Sequence, residues 1–120
     1  MVHGGECIQG SVQVDGAKNA VLPILAASIL TCDDVTICRC PRLRDGKAME
    51  QMLKMLGCSC IWQGDDLHIR SQCLHNWEMP DEISKQIRSS IFLLGPILGR
   101  LRKATVTYPG GCEIGIRPID

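Results

Sequence analysis

Apolar residues in this chain switch repeatedly between strand-like and helix-like spacing, and that alternation restricts the fold to helices packed on a sheet. Ser11-Val12-Gln13-Val14-Asp15 alternates and ends at Gly16, which predicts a strand entering a turn. Lys18 to Leu30 is rich in Ala, Leu and Ile and predicts a buried helix, with Pro23 tolerable near its first turn. Val35-Thr36-Ile37-Cys38 is short and β-branched, a second strand. From Asp45, Met49, Met52, Leu53 and Leu56 fall at i, i+3, i+4 and i+7 of an amphipathic helix that Gly57 stops. Ser59 to Gln63 and Leu67 to Ser71 flank Gly64-Asp65-Asp66 as a hairpin. Asp81 is placed to cap a long helix carrying Ile83, Ile87, Ile91, Leu94 and Leu98, with a kink expected at Pro96. Ala104 to Tyr108 predicts a last strand before a Gly-rich loop. The order is β-α-β-α-β-β followed by a further α-β, an α/β (α+β) arrangement whose second unit is incomplete.

Its 120 residues suit one domain or a piece of a larger one, and 45% hydrophobic content is enough for a core. Thirteen basic and thirteen acidic side chains cancel, so no global field points to nucleic acid or an anionic membrane. With Phe92, Tyr108, Trp62 and Trp77 as the only aromatics, a base-stacking platform is excluded as a theme and the core is aliphatic. Met1-Val2-His3-Gly4-Gly5-Glu6 does not read as the start of a signal peptide, and the apolar stretch Ala20 to Leu30 is too short to span a bilayer. A cytoplasmic protein is the expectation.

Eight cysteines demand an explanation. Cys38/Cys40 and Cys58/Cys60 are Cys-x-Cys pairs, whereas zinc knuckles take wider spacing. In an extended run that spacing puts both thiols on one face of a strand, where they act as small hydrophobes. The expectation is reduced, mostly buried thiols with no metal and no cofactor.

Three segments suit anion chemistry. Gly16-Ala17-Lys18-Asn19-Ala20 lies at a strand-to-helix junction, where free N–H groups and the positive end of the macrodipole gather beside a Lys. Arg88, followed by Ser89 and Ser90, interrupts a largely apolar helix and must snorkel, pair or meet a ligand. Pro109-Gly110-Gly111-Cys112 sets a thiol between a close-approach backbone and Arg117, a cation able to stabilise a thiolate or hold an anion.

Gly16 through Pro23, Arg88-Ser89-Ser90 with Leu94-Gly95-Pro96, and Pro109-Gly110-Gly111-Cys112 through Arg117-Pro118-Ile119-Asp120 together resemble the UDP-N-acetylglucosamine 1-carboxyvinyltransferases, in the same order and at close to the same spacing. The resemblance implies transfer of the enolpyruvyl group of phosphoenolpyruvate to the 3′-hydroxyl of the UDP-sugar, the first committed step of peptidoglycan synthesis. It implies a two-domain fold of repeated β-α-β-α-β-β units that closes over the substrates. It assigns Lys18, Asn19 and Arg117 to phosphoenolpyruvate. It assigns Arg88, Phe92, Arg117, Pro118, Ile119 and Asp120 to the UDP-sugar. Cys112 becomes the mobile-loop proton donor and the thiol alkylated by fosfomycin. Glu113 departs from the small or apolar neighbour expected there, and an adjacent carboxylate should raise the thiol pKa.

By the same resemblance residues 1–17 belong with the second domain of a longer enzyme, and residues 18–120 form a partial first domain. The remaining polypeptide would then be a partner, and the isolated chain should bind weakly and not turn over. The alternatives are a short non-catalytic paralogue or relic serving as a binding module, a sister transferase acting on shikimate 3-phosphate, and a cysteine-rich metal-binding domain.

Overall fold

The computed structural model describes residues 1–106. Its centre is a split β-α-β unit. Strands β1 (Asp34–Ile37), β2 (Ser59–Gln63) and β3 (Asp66–Arg70) form a sheet of order β1-β3-β2, antiparallel at both seams. The β2–β3 hairpin turns through Gly64, whose φ of 60° suits a residue without a Cβ. Because β3 lies between them, β1 and β2 run parallel, joined by helix α2 (Arg44–Met55).

The strands alternate as a half-buried sheet must. Val35 and Ile37, Cys60 and Trp62, and Leu67 and Ile69 face the core, while Asp34, Thr36, Ser59 and Ile61 look outward. Across the outer face Thr36 Oγ1 lies 2.9 Å from His68 Nδ1, and Arg70 Nε donates to Asp34 at 3.0 Å. On the inner face α2 buries Met49, Met52, Leu53 and the following Leu56, all at 0% exposure, so the heptad-like spacing seen in the sequence is the packing face. Gly57 ends this helix with φ 107°. A Cβ there would sit 2.5 Å from both the Cys73 carbonyl oxygen and His75 Nδ1, so only glycine fits the turn.

Helix α1 (Lys18–Ala27) runs into a 3₁₀ turn (Ser28–Leu30) and packs against α2 and a later 3₁₀ segment (Arg88–Leu93). Pro23 lies inside α1 without ending it, and Val21, Leu22, Leu25 and Ala26 are buried.

The leading strand expected at Ser11–Asp15 does not form a ladder among the described residues. Residues 1–17 have no regular structure, and Val12 and Val14 are 89% and 83% exposed. A strand is stabilised by a neighbour for its N–H and C=O groups and a surface for its side chains, and nothing in residues 18–106 supplies either. From α1 onward the expected α-β-α-β-β order is as observed.

The single long helix expected after Asp81 is also revised. It is three pieces: α3 (Asp81–Ser84), the 3₁₀ segment Arg88–Leu93, and α4 (Leu94–Leu101). The break falls before Pro96, at Ile87, whose φ −134° and ψ 131° are extended. Buried serines favour it, since Ser90 Oγ donates to the Ser84 carbonyl at 3.4 Å and offers the backbone a non-helical partner. Pro96 sits in the first turn of α4, where an N–H has no helical acceptor to lose. The N-cap position falls on Pro80, with Asp81 the first helical residue. Of the strand expected at Ala104–Tyr108, a single parallel bridge joins Thr105 to Glu78, and residues from 107 on lie outside the described part.

The thiols are less buried than expected. Cys40 and Cys58 are buried and Cys60 half-buried, but Cys7, Cys32, Cys38 and Cys73 are exposed. The Cys38/Cys40 pair does not share a strand face, because β1 ends at Ile37 and Arg39 turns the chain through a left-handed φ of 49°.

Candidate functional site

Lys18 and Asn19 open α1. Ala17 precedes them in extended conformation, and its carbonyl accepts the N–H groups of Ala20 and Val21, both at 3.1 Å. The helix begins without a side-chain cap and has no acidic residue in its first turn, so its positive end is not neutralised by its own sequence. Both side chains are exposed.

The junction ahead of them is held tightly. A Cβ on Gly16 would lie 2.8 Å from Pro41 Cδ and 3.2 Å from the Arg39 carbonyl oxygen, so the chain enters α1 pressed against the loop leading to α2. The start of α2 therefore stands beside the start of α1, and Asp45, in the first turn of α2, pairs with Lys18 at 2.8 Å. A sequence reading treats Asp45 only as a helix-start residue. The one signal it leaves is an acid in a first turn, which helix polarity alone explains.

Arg88 is half-buried at the first position of the 3₁₀ segment, and Phe92, 45% exposed, lies one turn further on. Because α1 packs on this segment, the elements bearing Lys18, Asn19, Arg88 and Phe92 adjoin one another. Cys112, Arg117, Pro118, Ile119 and Asp120 lie outside the described residues, as does Glu113.

A cleft of about 1000 Å³ opens between residues 13–16 and the β1–α2 loop, lined by Gly16, Arg39, Cys40, Pro41, Arg42 and Asp65 among others. None of Lys18, Asn19, Arg88 or Phe92 lines it, and its arginines are balanced by Asp15 and Asp65. Arg42 is further occupied, with its guanidinium 4.1 Å from the Trp62 ring centroid and Nη2 donating to the Gly64 carbonyl at 2.7 Å. This cleft and the start of α1 are therefore separate places on the fold.

The buried acid Glu50 has a structural place. It pairs with Lys54 at 2.7 Å and accepts the Trp62 indole N–H at 3.1 Å, which satisfies a charge only 9% exposed. The inner thiols are chemically quiet. Burial pushes Cys58 up to about 11. Burial, followed by the charge of Glu50, pushes Cys60 up to about 12. Neither is a thiolate near neutrality, and among the described residues no three His, Cys, Asp or Glu side chains gather as a metal site. Among those residues no helix is long and apolar enough to cross a membrane.

The family model for EPSP synthase (3-phosphoshikimate 1-carboxyvinyltransferase) matches residues 2–120. UDP-N-acetylglucosamine 1-carboxyvinyltransferase of Oleidesulfovibrio alaskensis is 48% identical over 120 residues, the whole of this chain and 29% of that protein. UDP-N-acetylglucosamine 1-carboxyvinyltransferase 2 of Caldanaerobacter subterraneus subsp. tengcongensis is 44% identical over 119 residues, 99% of this chain and 28% of that protein. The chain thus spans under a third of the length of these relatives. Among solved structures, the enolpyruvyl transferase NikO from Streptomyces tendae superposes with a TM-score of 0.68 at 22% identity, over 82% of this chain and 23% of that one, a likeness of fold.

Proposed function

The chain belongs to the EPSP synthase family, and from that premise we propose that the protein built on it transfers the enolpyruvyl group of phosphoenolpyruvate to the 3′-hydroxyl of UDP-N-acetylglucosamine. The observation that carries the choice of acceptor is identity of 44–48%, over essentially all of this chain, to two enzymes named for that sugar nucleotide. Gly110-Gly111-Cys112 belongs to the same reading, being among the segments that resemble the UDP-N-acetylglucosamine transferases. The reaction would be the first committed step of peptidoglycan synthesis, would be open to fosfomycin, and would run in the cytoplasm, where unpaired thiols stay reduced.

In this reading Lys18 and Asn19, at the uncapped start of α1, receive the anionic groups of phosphoenolpyruvate together with Arg117. Arg88 and Phe92, on the adjoining 3₁₀ segment, face the UDP-sugar, whose nucleotide end meets Pro118, Ile119 and Asp120. The Cys112 thiol gives its proton to the methylene carbon of phosphoenolpyruvate, which becomes a methyl group while positive charge grows at C2. The sugar hydroxyl oxygen bonds to C2 and its proton passes to a base. A proton is then removed from the new methyl group, the double bond re-forms, and the C2–O bond to phosphate breaks. Fixed cations at the phosphate and carboxylate hold charge that stays anionic throughout, so their contribution depends on placement before reaction.

The exposed apolar side chains of residues 1–17, Ile8, Val12 and Val14 among them, support assigning that stretch to the second domain of the enzyme and residues 18–120 to part of the first. Turnover is accordingly proposed for this segment joined to the remaining polypeptide, its structural partner, and not for the 120 residues alone.

The test is phosphate release by the full-length protein with each acceptor. Release requiring both phosphoenolpyruvate and UDP-N-acetylglucosamine, with an enolpyruvyl sugar nucleotide seen by mass spectrometry, is the expected result. Release only with shikimate 3-phosphate would transfer the assignment to the sister reaction, and release with neither would leave a binding module.

A further inference from the structure

We infer that Asp45 is a positioning residue for Lys18, fixing the ammonium at the start of α1 where phosphoenolpyruvate is to be met. The inference deepens the proposed function and rests on it.

The two residues are 27 positions apart and meet through the fold, Lys18 Nζ to Asp45 Oδ2 at 2.8 Å. Each sits on the first turn of its own helix, Lys18 on α1 and Asp45 on α2. Neither backbone is free to drift. Gly16, two residues before Lys18, lies against Pro41 and the Arg39 carbonyl so closely that no side chain fits between them. Leu43, two residues before Asp45, donates its N–H to the Pro41 carbonyl at 3.1 Å. The same short loop therefore sets both ends of the pair.

A lysine side chain left to itself spreads over many rotamers, about 2 kcal/mol of entropy to be lost when an anion is bound. A carboxylate on a rigid helix start removes part of that loss beforehand. The ammonium keeps its charge in such a pair and can still attract a ligand anion. Asp45 would also weaken the site by its charge, but the positive end of α2 lies directly behind it and offsets part of that charge. The side chains are 56% and 29% exposed, so a gain for global stability would be slight and the expected effect is on ligand binding.

The experiment measures steady-state kinetics of the full-length protein as parent, Asp45→Ala, Asp45→Asn and Asp45→Glu. Asp45→Ala and Asp45→Asn should raise KM for phosphoenolpyruvate about three- to fivefold, the scale of a partly exposed ion pair. KM for the sugar nucleotide should stay put, and Asp45→Glu should recover much of the loss. If Asp45→Ala does not fold, the near-isosteric Asp45→Asn still decides. Parental or lowered KM for phosphoenolpyruvate in Asp45→Asn overturns the inference, as does an equal rise for both substrates. A parent with no turnover on both substrates removes the functional reading and this inference with it, so the two failures are told apart by the parent alone.

Discussion

Arg100 grips Ser71 with both amino groups, Nη1 3.2 Å from the hydroxyl oxygen and Nη2 3.1 Å from the carbonyl oxygen. Nη1 also donates to the carbonyls of Ile29 at 2.8 Å and Thr31 at 2.7 Å. One half-buried guanidinium thus ties α4 to the end of the 3₁₀ turn after α1 and to the end of β3, and a planar fork suits that task better than an ammonium. Ser71 completes the knot by donating its hydroxyl to the Thr31 carbonyl at 2.6 Å.

Arg100→Ala should therefore lower unfolding free energy by about 2–3 kcal/mol, since several partly buried carbonyls lose a charged donor together. Arg100→Lys should recover less than half of this, because a point charge does not reach the Ile29, Thr31 and Ser71 carbonyls together as the fork does. Urea unfolding of the full-length protein and the two variants checks it, and a midpoint unchanged in Arg100→Ala would sink it.

Gly57→Ala should cost more than the removal of most surface contacts. The new Cβ meets the Cys73 carbonyl and His75 ring at 2.5 Å, and the residue must hold φ 107°. About 2 kcal/mol or more of destabilisation follows from strain and displacement together. Gly64→Ala, at φ 60° with open space around it, should cost about 1 kcal/mol, from backbone strain alone. Thermal melts of the two variants side by side test the order, and equal shifts would contradict it.

What the sequence made legible is what depends on local spacing. Met49, Met52, Leu53 and Leu56 kept helical period and are buried together, and Gly64 marked its hairpin. The helix after Asp81 misled because Ile83, Ile87, Ile91, Leu94 and Leu98 continue a helical stripe through a break made by extended Ile87 and buried serines. From Ile87, just ahead of the 3₁₀ segment, the buried side chains follow a three-residue step, Ile87, Ser90 and Leu93, and Leu98 is left 50% exposed. Of the candidate site, Lys18, Asn19 and Arg88 were visible as residue types at telling positions. Asp45 and the Arg100–Ser71 tie were not, because each joins residues distant in sequence through packing that no local pattern encodes.

Burial of the inner thiols makes the protein sensitive to alkali. Cys58 and Cys60 are raised to about 11 and about 12 from an ordinary 9.0, first by burial. Unfolded chains lose those protons near 9 while the native state keeps them, so the unfolded state binds fewer protons above that pH and stability falls as pH rises. Their contribution should be whole below about pH 9 and decline from there to about pH 12. Urea midpoints from pH 8 to 10.5 should drop more steeply in the parent than in Cys58→Ala/Cys60→Ala, and identical slopes would refute this. At pH 8 iodoacetamide should modify exposed Cys32, Cys38 and Cys73 well before Cys58 and Cys60, as peptide mapping would show.

The two ends of the candidate site should fail differently when cut. Lys18 heads α1 beside Asp45, and Arg88 heads the 3₁₀ segment that packs on α1, so the two cations stand on separate elements. If Lys18 serves phosphoenolpyruvate and Arg88 the sugar nucleotide, Lys18→Ala should raise KM for phosphoenolpyruvate at least tenfold, about 1.4 kcal/mol or more, and leave that for the sugar nucleotide nearly alone. Arg88→Ala should show the reverse pattern. Lys18→Arg keeps the charge but replaces a point cation with a wide fork on the first turn of a helix, so it should recover only part of the loss. Binding of the sugar nucleotide alone, followed by calorimetry, separates a lost contact from a disturbed fold, because Lys18→Ala should bind it as the parent does. Both substrates weakened equally by either substitution would mean that the two residues brace one surface, and the division of the site between them would have to be abandoned.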